Sequence, residues 1–112
     1  MSYEAVYHHT ILMIQPLADP MSRRYWPYSS LECCMEGLCR IFEQYLKVRT
    51  GDESNVVTVR YEIVDILNFI DTLPDLACMV KRHTDGHFVP FPKDWIKEKV
   101  YLHLYHQAHK KN

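Results

Sequence analysis

The segment Ile11-Leu12-Met13-Ile14 constrains the fold more than any other part of the chain. It sits inside a strand-like run, Thr10 to Gln15, that Pro16 stops. Side chains alternate across a strand, so Leu12 and Ile14 fall on one face and Ile11 and Met13 on the other. A strand with one face in water alternates apolar with polar residues, whereas this one is apolar on both sides. Both faces of the sheet that contains it must therefore be covered.

The remaining elements say what is available to cover them. Asp19-Pro20 with Ser22 marks a turn, and Arg23 to Trp26 forms the returning strand, ended by Pro27. Ser29-Ser30-Leu31-Glu32 has the form of a capping box, with Ser29 as the cap and Glu32 reaching back. Leu31, Cys34, Met35, Leu38, Phe42, Tyr45 and Leu46 then recur at helical spacing to about Arg49. Gly51 and the polar run to Asn55 close that helix, and Val56 to Arg60 is a short extended stretch. Ile63, Ile66, Leu67, Ile70 and Leu73 mark a second helix that stops before Pro74.

Leu76 to Lys81 and His87 to Phe91 flank a turn containing Asp85-Gly86, which predicts a hairpin. The last helix opens near Pro92 or Asp94 and carries Trp95, Ile96, Val100, Leu104 and Ala108 on one broad face. The order ββααββα predicts an α+β, two-layer domain. Three helices cover one face of a four-stranded sheet. A second copy of the same sheet is the simplest cover for the other, which places one of the two pairs, Leu12 with Ile14 or Ile11 with Met13, in a dimer interface.

Composition narrows the function. A chain of 112 residues has room for one domain, and a core this small gains from self-association. The net charge is −1, with Lys+Arg 13 against Asp+Glu 14. Binding to nucleic acid through phosphates draws on a basic excess that is missing here, apart from Lys110 and Lys111. Direct nucleic-acid binding is therefore not expected. Met1 to His9 has neither a basic nor an apolar signal region, and no apolar run is long enough to span a membrane. Cys33, Cys34, Cys39 and Cys78 suit reduced thiols better than a disulfide framework. A nuclear or cytoplasmic protein, perinuclear placement included, is expected.

The usual chemistries find little support. His103, His106 and His109 follow at three-residue steps on the last helix, and His83 and His87 flank the hairpin turn. Neither group has the tight spacing of a structural zinc site, so no metal and no cofactor is expected. Cys39 and Cys78 sit in apolar-periodic stretches, where cysteine acts as a small core residue rather than a nucleophile. No nucleophile elbow, phosphate loop or dinucleotide fingerprint is present, so no enzyme is expected.

Several stretches resemble one family. His9-Thr10-Ile11-Leu12-Met13-Ile14-Gln15-Pro16 is similar to the opening strand of enhancer-of-rudimentary proteins, and Cys34-Met35-Glu36-Gly37-Leu38-Cys39 to their first helix. Tyr61-Glu62-Ile63 through Asp71, then Asp75-Leu76-Ala77-Cys78-Met79-Val80, resemble the second helix and third strand. Lys93-Asp94-Trp95-Ile96-Lys97-Glu98-Lys99 resembles the distinctive start of the last helix. The likeness divides the chain into an extension over 1–8, one domain over 9–109 and a basic tail over 110–112.

The resemblance implies a four-stranded antiparallel sheet with three helices on one face, dimerising through the open sheet face by way of Ile11 and Met13. It implies no catalysis. It implies instead a dimeric scaffold that binds short segments of partner proteins in splicing, mRNA elimination, and microRNA or piRNA processing. Met1 to His8, Trp26-Pro27, Pro74 and the His-rich last helix depart from the usual pattern and mark a diverged paralogue. The family's acidophilic-kinase site corresponds to Ser30, whose +3 residue is Cys33, while Ser29 has Glu32 at +3. Both serines are candidate phosphosites.

Aromatic residues are enriched where partners dock, which makes Tyr25, Trp26 and Phe88 candidates for a partner groove. The competing expectation is a small RNA-binding domain that uses its sheet face and basic tail.

Overall fold

The structure, a computed structural model, describes residues 8–50 and 61–109. The extended stretch expected over Val56 to Arg60, the extension over 1–7 and the tail over 110–112 lie outside the described residues.

Four strands and three helices follow in the expected order: β1 (Thr10–Gln15), β2 (Arg24–Tyr28), α1 (Leu31–Thr50), α2 (Ile63–Thr72), β3 (Asp75–Lys81), β4 (Phe88–Phe91) and α3 (Lys93–Ala108). The sheet runs β2-β1-β3-β4 with every pair antiparallel. β1 is central, facing Trp26 and Cys78 across Leu12, and Tyr25 and Ala77 across Met13. The sheet residues of the helix-packed core are Leu12 and Ile14 of β1 with Leu76 and Cys78 of β3, all of one parity. Cys34, Met35, Leu38, Cys39 and Phe42 of α1, Ile66, Phe69 and Ile70 of α2, Leu73 just beyond it, and Ile96 and Val100 of α3 complete it. All three helices therefore lie on one side of the sheet.

Three local details differ from the expected ones. The cap of α1 is Ser30, not Ser29: Ser30 Oγ accepts from the Cys33 backbone N–H at 3.1 Å, so Glu32 is not at the reciprocating position. A reciprocal acid occurs instead at α2, where Asp65 accepts from the Glu62 backbone N–H at 2.8 Å. Pro27 does not end β2 but sits within it, opposite Ile11. The edge position admits it, because an edge strand needs no ladder bond on its open side. Pro90 holds the matching place on β4, the other edge.

Polar side chains tie the layers where the core ends. Gln15 is buried, donating to the carbonyls of Leu17 and Ala18 at 2.9 and 3.2 Å and accepting from Arg23 Nε at 2.7 Å. This buried amide is fully employed in holding the β1–β2 turn. Lys93, opening α3, donates to the Leu73 carbonyl at the end of α2.

Gly37 is an unfavourable residue in the middle of a 20-residue helix. Its reason is Tyr28, whose ring from the end of β2 lies against the helix. A Cβ at position 37 would stand 2.2 Å from Tyr28 Oη and 2.4 Å from Cζ. Gly37→Ala is therefore expected to destabilise by about 1–3 kcal/mol through overpacking, despite alanine's better helix propensity. In a Tyr28→Ala background the same change should be neutral or stabilising. Urea unfolding of the four proteins checks this, and an equal cost in both backgrounds would mean that Tyr28 is not the reason for the glycine.

Candidate functional site

The register leaves two apolar surfaces, one on each side of the sheet. On the face away from the helices, cross-strand neighbours bring together Ile11 and Met13 of β1, Tyr25 and Pro27 of β2, Ala77 and Met79 of β3, and Phe88 and Pro90 of β4. None of them belongs to the helix-packed core. Met13 is nonetheless 7 % exposed, screened by its own neighbours, whereas Tyr25 is 58 % exposed. Ile11 and Met13, which alternate with Leu12 and Ile14 of the core, are thus apolar and lie on the open face.

The second surface is a groove on the helix side, between edge strand β2 and α1. Ile14, Trp26, Ile41, Tyr45, Val48, Phe69 and Leu73 line it, with Pro16, Arg24, Gln44 and Thr72 at its margins, around a cavity volume of about 470 Å³. Its aromatic wall is braced, with Tyr45 and Phe69 centroids 4.7 Å apart and Phe42 5.1 Å from Phe69. The three aromatic residues expected to share one groove do not meet. Trp26 faces this helix-side groove, while Tyr25 and Phe88 lie on the open face, on opposite edge strands. Adjacent strand residues point to opposite faces, and that rule alone separates Tyr25 from Trp26. Ile41 and Val48 carry no comparable signal in the sequence, where they read as two more residues of an amphipathic helix.

The titratable groups are mostly structural. Cys34 and Cys78 are buried with their sulfurs 4.0 Å apart. The contact with Cys78, together with burial, holds the Cys34 thiol far above its ordinary range. Burial pushes Cys39 up to about 11. Neither Cys34 nor Cys39 is poised as a nucleophile. Cys33 is exposed, and hydrogen bonds from Ser30 and Ser29 lower its thiol. Of the candidate phosphosites, Ser29 is exposed and Ser30 half-buried in its capping role.

The histidines of α3 diverge. His103 lies 2.8 Å from Glu36 Oε2 with its side chain 9 % exposed, His109 stacks on Tyr105 at 4.1 Å, and His106 is exposed. Among the described residues no group of three or more His, Cys, Asp or Glu stands close enough to hold a metal ion.

Glu36 joins α1 to α3 through both His103 and Gln107. The hydrogen bond with His103 holds the Glu36 carboxyl below the ordinary carboxylate range. A carboxyl with a depressed folded pKa adds stability above its unfolded pKa and loses it as pH falls through the folded one. Glu36→Gln is therefore expected to unfold at lower urea than wild type near neutrality. The gap should close as the pH falls from about 5 to about 3. A gap that is constant with pH would assign the loss to packing rather than to charge.

Comparison with known proteins agrees with this architecture. A family model described as "Enhancer of rudimentary" matches residues 6–110. The protein enhancer of rudimentary of Drosophila virilis is 44 % identical over 104 residues, covering 93 % of this chain and 97 % of its own. The enhancer of rudimentary homolog of Echinococcus multilocularis is 41 % identical over 101 residues, covering 89 % and 96 %. That of Caenorhabditis elegans is 37 % identical over 93 residues, covering 83 % and 87 %. With matches of this length on an antiparallel sheet backed by three helices, the chain belongs to the enhancer-of-rudimentary family.

Proposed function

We propose that this protein is a non-enzymatic homodimeric adaptor that holds short segments of other proteins within RNA-processing assemblies of the nucleus or cytoplasm. The observation that carries the reading is the open sheet face, where apolar side chains from all four strands lie outside the core that the helices complete. Contiguous apolar surface of this kind marks an association site. A flat sheet suits a two-fold partner of the same shape, because a self-complementary patch pairs with itself.

The edges point the same way. Pro27 on β2 and Pro90 on β4 hinder pairing of sheets edge to edge, so association through the sheet has to use its face. Two copies related by a two-fold axis present every partner site twice, and two linked partner segments then bind with raised avidity. Membership of the enhancer-of-rudimentary family supports the adaptor role over catalysis, and the net charge of −1 supports protein over nucleic-acid partners.

Light scattering is expected to give a mass near twice 13.4 kDa for the wild type. Met13→Arg should collapse it to the monomer. Because Met13 is already screened within one protomer, Tyr25→Arg is the companion variant: Tyr25 is exposed, so this protomer should stay folded by circular dichroism while the mass falls to the monomer. A wild-type monomer, or a dimer indifferent to both arginines, would remove the open face from the account.

A further inference from the structure

The groove on the helix side is separate from the open face, and its charge says what it takes. Among the described arginines, Arg23, Arg40 and Arg82 each meet a carboxylate: Asp75, then Glu36 and Glu43, then Asp85. Arg24 and Arg49 meet none among the described residues; Arg24 lines this groove, and Arg49 lies against Tyr45, which lines it. Among the described residues the Arg24 guanidinium, at the margin of the groove, donates to the carbonyls of Met21 and Arg23, at 3.4 and 2.9 Å. The Arg49 guanidinium lies 5.7 Å over the ring of Tyr45, which lines the groove, and donates to its hydroxyl at 3.0 Å. No Asp or Glu lines the groove among the described residues. At its mouth Val48 is 80 % and Trp26 46 % exposed, above a floor of buried Ile14, Phe69 and Leu73.

We propose that the groove between β2 and α1 seats a short partner segment with apolar side chains for Trp26 and Val48 and a carboxylate for Arg24. This rests on the adaptor reading and adds to it the place and chemistry of the guest. A cavity of this volume takes a few side chains, not a folded domain. A carboxylate on the Arg24 guanidinium forms a charge-assisted hydrogen bond beside an apolar surface, where solvent screens it less. A second copy of this chain is a poor occupant, because two-fold pairing would bring like guanidiniums together. Single-stranded RNA asks for a continuous basic track with flat aromatic platforms. Here a single guanidinium, that of Arg24, borders a floor that includes the aliphatic Ile14, Ile41 and Leu73.

The test is selection from a random peptide display library on the full-length wild type, followed by anisotropy with a labelled peptide of the winning pattern. Wild type should enrich peptides that combine apolar residues with Asp or Glu. Val48→Glu, a change at an exposed position, should weaken the winning peptide at least about tenfold by placing a carboxylate among the guest's apolar side chains. Arg24→Glu should shift the selected peptides from acidic to basic. Both variants should keep the solution mass of the wild type, which separates this result from any failure of dimerisation. A monomeric wild type that still binds the peptide at the groove would support this seat while removing the dimer. The proposal is overturned if nothing is enriched. It is also overturned if the selected peptides bind Val48→Glu as well as wild type, or if single-stranded oligouridylate binds and the acidic peptides do not.

Discussion

β1 carries ladder bonds on both sides and apolar side chains on both faces, so every other element is placed relative to it. β2 reaches it through a short turn held by buried Gln15, whereas β3 pairs with it only after two helices have intervened. The β1–β3 ladder is therefore the costly non-local step, in which chain entropy is spent before the contacts form. The helices offset that cost by covering Leu12, Ile14, Leu76 and Cys78 as soon as the ladder exists. Small side chains help them approach: Cys34 on α1 meets Cys78 on β3 directly, and Gly37 admits the ring of Tyr28.

The same strand explains why the protomer has two sides of different character. Its inner side chains are consumed by the helix core, and its outer ones meet only their cross-strand neighbours. Because both edge strands carry a proline, the unsatisfied demand of the sheet is a demand of its face, not of its backbone. The helix layer has its own gap, where α1 and β2 part around Trp26. One chain thus offers an apolar sheet face and an apolar groove bordered by the Arg24 guanidinium, on opposite sides of a single sheet. In the adaptor we propose, self-association and partner capture would draw on different residues.

Much of this was legible in the chain itself. Period-two and helical patterns located all seven described elements, because burial on one side imprints its period on the sequence whatever the partner is. The two-sided apolar character of β1 pointed to an uncovered face, alternation split the strand into two pairs, and the family resemblance assigned Ile11 and Met13 to that face. Local signals misled where two neighbouring residues could serve one purpose. Ser29 and Ser30 both precede the first helix, and only the backbone geometry selects Ser30 as the cap. Pro27 looks like a strand terminator until β2 is known to be an edge.

What the sequence determined by itself was the order and type of the elements, the parity of β1 and the demand for cover on both sheet faces. These follow from side-chain period and backbone sterics, which act over a few neighbouring residues. The tertiary structure alone decided the pairing of Glu36 with His103 across 67 residues, the seat of the Tyr28 ring on Gly37, and the placing of Trp26 in the helix-side groove with Phe88 on the other face. Those depend on which residues distant in the chain are brought side by side, and no local pattern encodes such a distance.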